Sequence, residues 1–150
     1  MATEPRIRVS AILQWGGRIL LCRHEKDGRD YWLLPGGGVE GGEQLEDALR
    51  RELREECDLP DVQPVGPIAL AETIAPLGSS SRRHIVHLIF EAPLPESIVH
   101  VASSDPAVGN HRLFDISDLS EIDLRPPIHR FLSRWRPGDP FVPLGPLWTA

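Results

Sequence analysis

One segment, LEDALRRELREECDL (residues 45–59), constrains the fold more than any other stretch of the chain. At about 100° per residue, Leu45, Ala48, Leu49 and Leu53 fall on one stripe of an α-helix. Glu46, Asp47, Arg50 and Arg54 occupy the opposite, solvated arc. Such a stripe needs an apolar surface to cover, and the flanking sequence supplies β-rich runs. RIRVSAIL (6–13) and RILLCRH (18–24) read as strands joined at QWGG. PIALAETIA (67–75) and RHIVHLIFEA (83–92) read as two more, joined by the turn-like PLGSSS, and NHRLFDI (110–116) as another. YWLLPGGG (31–38) is a short apolar run ending in glycines. The first helix is expected from roughly Glu43 to Cys57, and PPIHRFLSRW (126–135) reads as a second, with proline in its first turn. Strands, helix, strands, helix make one α/β domain without an internal repeat.

A chain of 150 residues suits a single core, placed here in residues 1–136. Residues 137–150 form a proline-rich tail, expected either as an extended arm packing Phe141, Leu144 and Trp148 or as a disordered end. The net charge of −6 argues against a DNA-binding surface or an acidic-membrane footprint. A polyanion would bind only where metal ions or local arginines overcome that background. Cys22 and Cys57 are the only cysteines and form no Cys-x-x-Cys pair, which argues against structural zinc and disulfides. No signal core or membrane span is evident, so a cytoplasmic, reducing setting is expected.

The stripe has an anomaly. Glu52, Glu55 and Glu56 fall within its apolar arc and, at helix spacings of three and four, should converge. Moving a carboxylate into low dielectric costs several kcal/mol unless it is paired. Cationic side chains are one remedy, and a salt-bridged helix end is the commoner reason for such a charge run. Bound Mg²⁺ or Mn²⁺, which prefer clustered oxygen donors, is the other.

The segment GGVEGGEQLEDALRRELREECDL resembles the Nudix signature G-x5-E-x7-R-E-U-x-E-E-x-G-U, where U is aliphatic. Gly37 opens it, then Glu43, Arg51-Glu52-Leu53, Glu55-Glu56 and Leu59 follow at the required gaps. Asp58 replaces the final glycine. Glycine there ends a helix in the left-handed conformation, which Asp tolerates better than most residues. The resemblance implies a Nudix-like α/β/α sandwich around a mixed sheet. It implies a divalent-metal-dependent hydrolase of a nucleoside diphosphate linked to another group, such as ADP-ribose. Under it, Glu52, Glu55, Glu56 and the Gly37 carbonyl would hold Mg²⁺, with Mn²⁺ as substitute. Glu52 would also be the general base, with Glu43 and Arg51 bracing the loop–helix junction. The cations would neutralise the diphosphate and activate the attacking water.

Other features leave alternatives open. In relatives an acid on another loop sometimes serves as base; Asn110 stands in that neighbourhood, and Glu91, Glu96 and Asp105 are substitutes. Trp32 could stack on a nucleobase or pack into the core, and Arg23, Arg29, Arg82 and Arg83 are candidate phosphate contacts. His84 and His87, three apart on a strand, point to opposite faces and cannot chelate one ion. Cys57 reads as a packing residue. Nucleoside triphosphates and dinucleoside polyphosphates compete as substrates, and a nucleotide-sensing module without turnover is a further reading. A homodimer using the aromatic-bearing tail is compatible with the sequence.

Overall fold

The computed structural model describes residues 4–59, 62–75, 83–93 and 111–147. PLGSSS, Arg82, Glu96, Asp105, Asn110 and Trp148 lie outside them. The chain forms β1 (Arg6–Ile12), β2 (Gln14–Trp15), β3 (Arg18–Lys26), β4 (Arg29–Leu33), β5 (Gly36–Gly38) and α1 (Leu45–Cys57). β6 (Val65–Ile74), β7 (His84–Glu91), β8 (His111–Asp115), α2 (His129–Arg134) and β9 (Val142–Leu147) follow, with a 3-10 turn at Ile116–Glu121.

Five strands make a mixed sheet in the order β5-β1-β7-β6-β9. β1 runs parallel to β7 and antiparallel to β5, and β6 runs antiparallel to β7 and parallel to β9. A second sheet is built on β3, which pairs with β2, β4 and β8. Period-2 alternation divides the core between two sides. Val9, Ala11, Leu13 and Leu20 face α1 through Ala48, Leu49 and Leu53. Ile12, Ile19 and Leu21 face the other layer, where Leu119, Ile128, Leu132 and Trp135 close the sandwich.

α1 starts at Leu45, two residues later than expected, because Glu43 is used in the preceding turn. Its N-cap, Gln44, makes no side-chain capping bond, and a good cap is worth about 1 kcal/mol. Fully buried Leu49 and Leu53 outweigh that, at about 1.5–3 kcal/mol each. Asp58 ends the helix at φ 52°, ψ 38°, the left-handed conformation expected of it. Its N–H reaches Arg54 O (3.1 Å) and the Leu59 N–H reaches Leu53 O (3.3 Å), closing the last turn.

Three expectations change. Pro126 and Pro127 precede α2 rather than occupying its first turn, because the helix begins only at His129. The glycine cluster after Leu33 is itself a strand, β5, laid against β1 with Val9 opposite Gly37. A Cβ on Gly36 would overlap the Val9 carbonyl, so only glycine permits this approach. The tail adds an edge strand to the sheet. Pro143 and Pro146 cannot donate to a ladder, which suits an edge, and a register shift between Pro143 and Gly145 accommodates the extra residue. Leu144 and Leu147 pack on the core, while Phe141 is half exposed.

Candidate active site

The glycine strand, the loop after it and the end of α1 meet at Arg51. Its guanidinium donates to both Glu43 oxygens, from Nε at 2.8 Å and from Nη2 at 2.9 Å. Nη2 also reaches the Gly38 carbonyl at 3.1 Å, and Nη1 lies 2.9 Å from Glu52 Oε1 and 3.5 Å from Glu55 Oε2. The fork geometry fixes two carboxylates at once, which a lysine could not do. Glu43 also accepts from the Glu40 N–H at 3.1 Å, and Arg51 with this bond pulls its carboxyl down to about 2. Arg51 therefore locks the turn before α1 to the acids on the helix.

Glu52 lies over the glycine strand. A Cβ on Gly37 would overlap its carboxylate, so the absence of a side chain at residue 37 creates the seat. Glu56 is half-buried one turn further on, with Oε2 3.5 Å from the Gly36 N–H and 3.9 Å from Cys22 Sγ. Burial raises its pKa, the field of Arg8 opposes this, and Glu52 adds to it. Arg8 comes from β1 and donates to the Leu34 carbonyl at 2.9 Å. Desolvation lowers the Arg8 pKa, against the fields of Glu56 and Cys22.

The acids on the helix differ in depth, although Glu52 and Glu55 share the Arg51 Nη1. Glu52 is 15% exposed and Glu55 60% exposed, so Glu55 stands at the rim. Arg51 supplies the counter-charge to both. Four carboxylates (Glu43, Glu52, Glu55, Glu56) face two guanidiniums (Arg8, Arg51), leaving the group anionic. Its oxygen donors and residual charge suit a hard divalent cation.

Alternation along β3 and β4 sorts the candidate substrate contacts. Cys22, on the Glu56 side, shares its face with His24, which pairs with Tyr31 across the ladder. Arg23 and Trp32 pair on the opposite face. The Trp32 ring packs edge-on to Phe114 at 4.6 Å, and Arg23 binds Asp30 at 3.2 Å. Neither points toward Glu56. His24 and Tyr31 do, stacked at 5.5 Å, with the Arg125 guanidinium 4.2 Å from the Tyr31 ring centroid. Sequence reasoning missed Arg8, His24 and Arg125, because which way each side chain faces depends on tertiary packing and not on local spacing. Glu91 ends β7 opposite Ile12 and Val65. His84 and His87 take separate partners, Glu72 at 2.6 Å and Thr73 at 2.9 Å. Cys57, read as a packing residue, has His111 Nε2 3.5 Å from its sulfur.

An α/β/α sandwich with an acidic helix end above a glycine strand defines a class of hydrolase fold, and comparison with known proteins identifies it. The NUDIX domain model matches residues 4–135. The chain is 36% identical over 94 residues to the nucleoside triphosphatase NudI of Escherichia fergusonii, covering 57% of this chain and 67% of that protein. NudI of an Enterobacter species matches at the same identity and coverage. In fold it is similar to a NUDIX hydrolase from Nitrosomonas europaea (TM-score 0.66, 21% identity, 99% of this chain and 82% of that one). It is similar also to a MutT protein from Bacillus halodurans (TM-score 0.67, 16% identity, 93% and 89%). The chain belongs to the Nudix family. It is a Nudix-type pyrophosphohydrolase, acting on an acid anhydride, and enzymes of this family generally use a divalent metal.

Proposed function

We propose that this enzyme hydrolyses a nucleoside triphosphate to the monophosphate and pyrophosphate. This departs from the diphosphate-linked substrate favoured by the sequence, because the similar NudI proteins are nucleoside triphosphatases. The observation that carries the catalytic assignment is the Glu52 carboxylate seated over Gly37, braced by Arg51, with Glu56 behind it. Glu52, Glu55, Glu56 and the Gly37 carbonyl are the residues that would hold Mg²⁺, or Mn²⁺ in its place. Such a cation, when bound, neutralises phosphate charge and makes water a stronger nucleophile.

The protein's own groups do the rest. Arg51 fixes the Glu52 rotamer, so that the base waits in place and no reorganisation is needed during proton transfer. Glu52 takes the proton of the attacking water; Glu91, Glu96 and Asp105 are the rival bases. Tyr31 and His24 offer an aromatic platform for the nucleobase on the Glu56 side of the sheet, and Arg125 reinforces it. Arg23 and Trp32 support that platform from the opposite face.

A panel of nucleoside triphosphates and ADP-ribose, assayed with Mg²⁺ and with chelator, tests the proposal. The expected products are monophosphate and pyrophosphate, with kcat/KM for at least one triphosphate above that for ADP-ribose and no turnover in chelator. Faster cleavage of ADP-ribose would return the diphosphate-linked reading. Tight nucleotide binding without turnover would mark a sensor.

A further inference from the structure

Among the described residues, Cys22, Cys57 and His111 form a trio whose ligand atoms all lie within 4.8 Å of one another, close enough to share an ion. The fold assembles it from three elements. Cys22 and His111 are direct partners across the β3–β8 ladder, so their side chains share a face. Cys57 is the last residue of α1, which packs on that face. Both sulfurs belong to buried residues, and both thiols are free.

The chemistry of this group differs from that of the neighbouring carboxylates. Two sulfurs and an imidazole nitrogen suit Zn²⁺ and similar soft or borderline cations; Mg²⁺ prefers oxygen. Tetrahedral zinc with Zn–S near 2.3 Å and Zn–N near 2.0–2.1 Å holds S and N about 3.6 Å apart. Cys57 Sγ and His111 Nε2 are 3.5 Å apart. A fourth donor is at hand, since Glu56 Oε2 is 3.9 Å from Cys22 Sγ. The field of Arg8 reaches both Cys22 and Glu56, offsetting part of the negative charge that two thiolates and a carboxylate would bring.

We propose that Cys22 Sγ, Cys57 Sγ and His111 Nε2 bind a Zn²⁺-class cation, with Glu56 as fourth donor, and that loading this site withdraws Glu56 from the hydrolytic centre. Each cysteine releases its proton to solvent and binds as thiolate. The cation forms bonds to two sulfurs, one nitrogen and one oxygen, and nothing is oxidised. A soft metal thereby inhibits an enzyme that a hard metal activates. The inhibitory half rests on the role proposed above for Glu56; the site itself does not.

The test uses the full chain, reduced and metal-free, titrated with Co²⁺ as a coloured substitute for Zn²⁺. One equivalent is expected to give a thiolate-to-cobalt charge-transfer band in the near ultraviolet. The band should be lost in Cys22→Ser and in Cys57→Ser, and retained in Glu52→Gln. Zn²⁺ should also slow alkylation of both thiols in the unmodified chain, a readout independent of whether the variants fold. No band in the unmodified chain, or one that survives both cysteine substitutions, overturns the site. Equimolar Zn²⁺ should lower Mg²⁺-dependent turnover about tenfold or more, with each variant compared with its own zinc-free rate and Cys57→Ser unaffected. A cobalt band with undiminished turnover in Zn²⁺ overturns the coupling through Glu56 and keeps the site.

Discussion

Glu56, proposed above to hold the metal, carries a cost in stability. Burial raises its carboxyl pKa, so the folded chain holds the ionised form less readily than the unfolded chain does. Glu56→Gln is therefore expected to lower kcat about 100-fold or more while raising Tm. The sign follows from linkage: the cost is present above the ordinary glutamate pKa of about 4.3 and vanishes below it. Melting curves at neutral pH and at pH 3 check this, and a lower Tm for the variant at neutral pH would refute it. His87 works in the opposite direction, costing stability as pH falls. It is 4% exposed, bonded to Thr73 Oγ1 at 2.9 Å, and its pKa falls to about 4 through burial and the field of Arg8. The unfolded chain takes up a proton near pH 6.5 and the folded chain only near 4, so stability falls across that interval, by about 3 kcal/mol in all. His87→Gln should flatten this part of the urea-denaturation profile; an unchanged slope would exclude His87 as its source.

At the level of the element, α1 was the most legible part of the chain. Its apolar stripe, its end at Cys57 and the left-handed Asp58 all follow from local periodicity and backbone sterics. Because Asp is tolerated there but Gly is unstrained, Asp58→Gly should raise stability by about 0.5 kcal/mol, and Asp58→Val should lower it by about 1 kcal/mol or more. Chemical denaturation of both variants checks the order; a destabilised glycine variant would mean the Asp side chain contributes something beyond the turn. The three glutamates were less legible. Helical spacing put them on one arc, but it did not show that Glu55 would lie at the rim while Glu52 is held deeper, both bonded to Arg51. Spacing fixes an angle on the helix and leaves the depth at which each carboxylate sits to the surrounding chain.

For the whole molecule, the tail matters more than its composition suggests. β9 covers the β6 edge, and Leu144 and Leu147 pack on the core. Removal of residues 137–150 should cost about 2–4 kcal/mol and leave an open strand edge prone to self-association. Calorimetry and light scattering on the truncated chain test this; an unchanged Tm would show that the strand adds nothing to stability. Prolines in the tail argued against a helix but could not show which edge would receive it, since that depends on how β6 and β7 pair.

By itself the sequence determined the α/β class, the helix bearing the acids, and the family, because periodicity and fixed gaps within 37–59 are local properties. Only the tertiary structure decided which face of β3 looks toward Glu56, that Arg8 lies beside it, and that Cys22, Cys57 and His111 meet. The physical reason is the two-residue period of a strand. It says that neighbours face opposite ways, but which way is inward depends on partners far off in the chain.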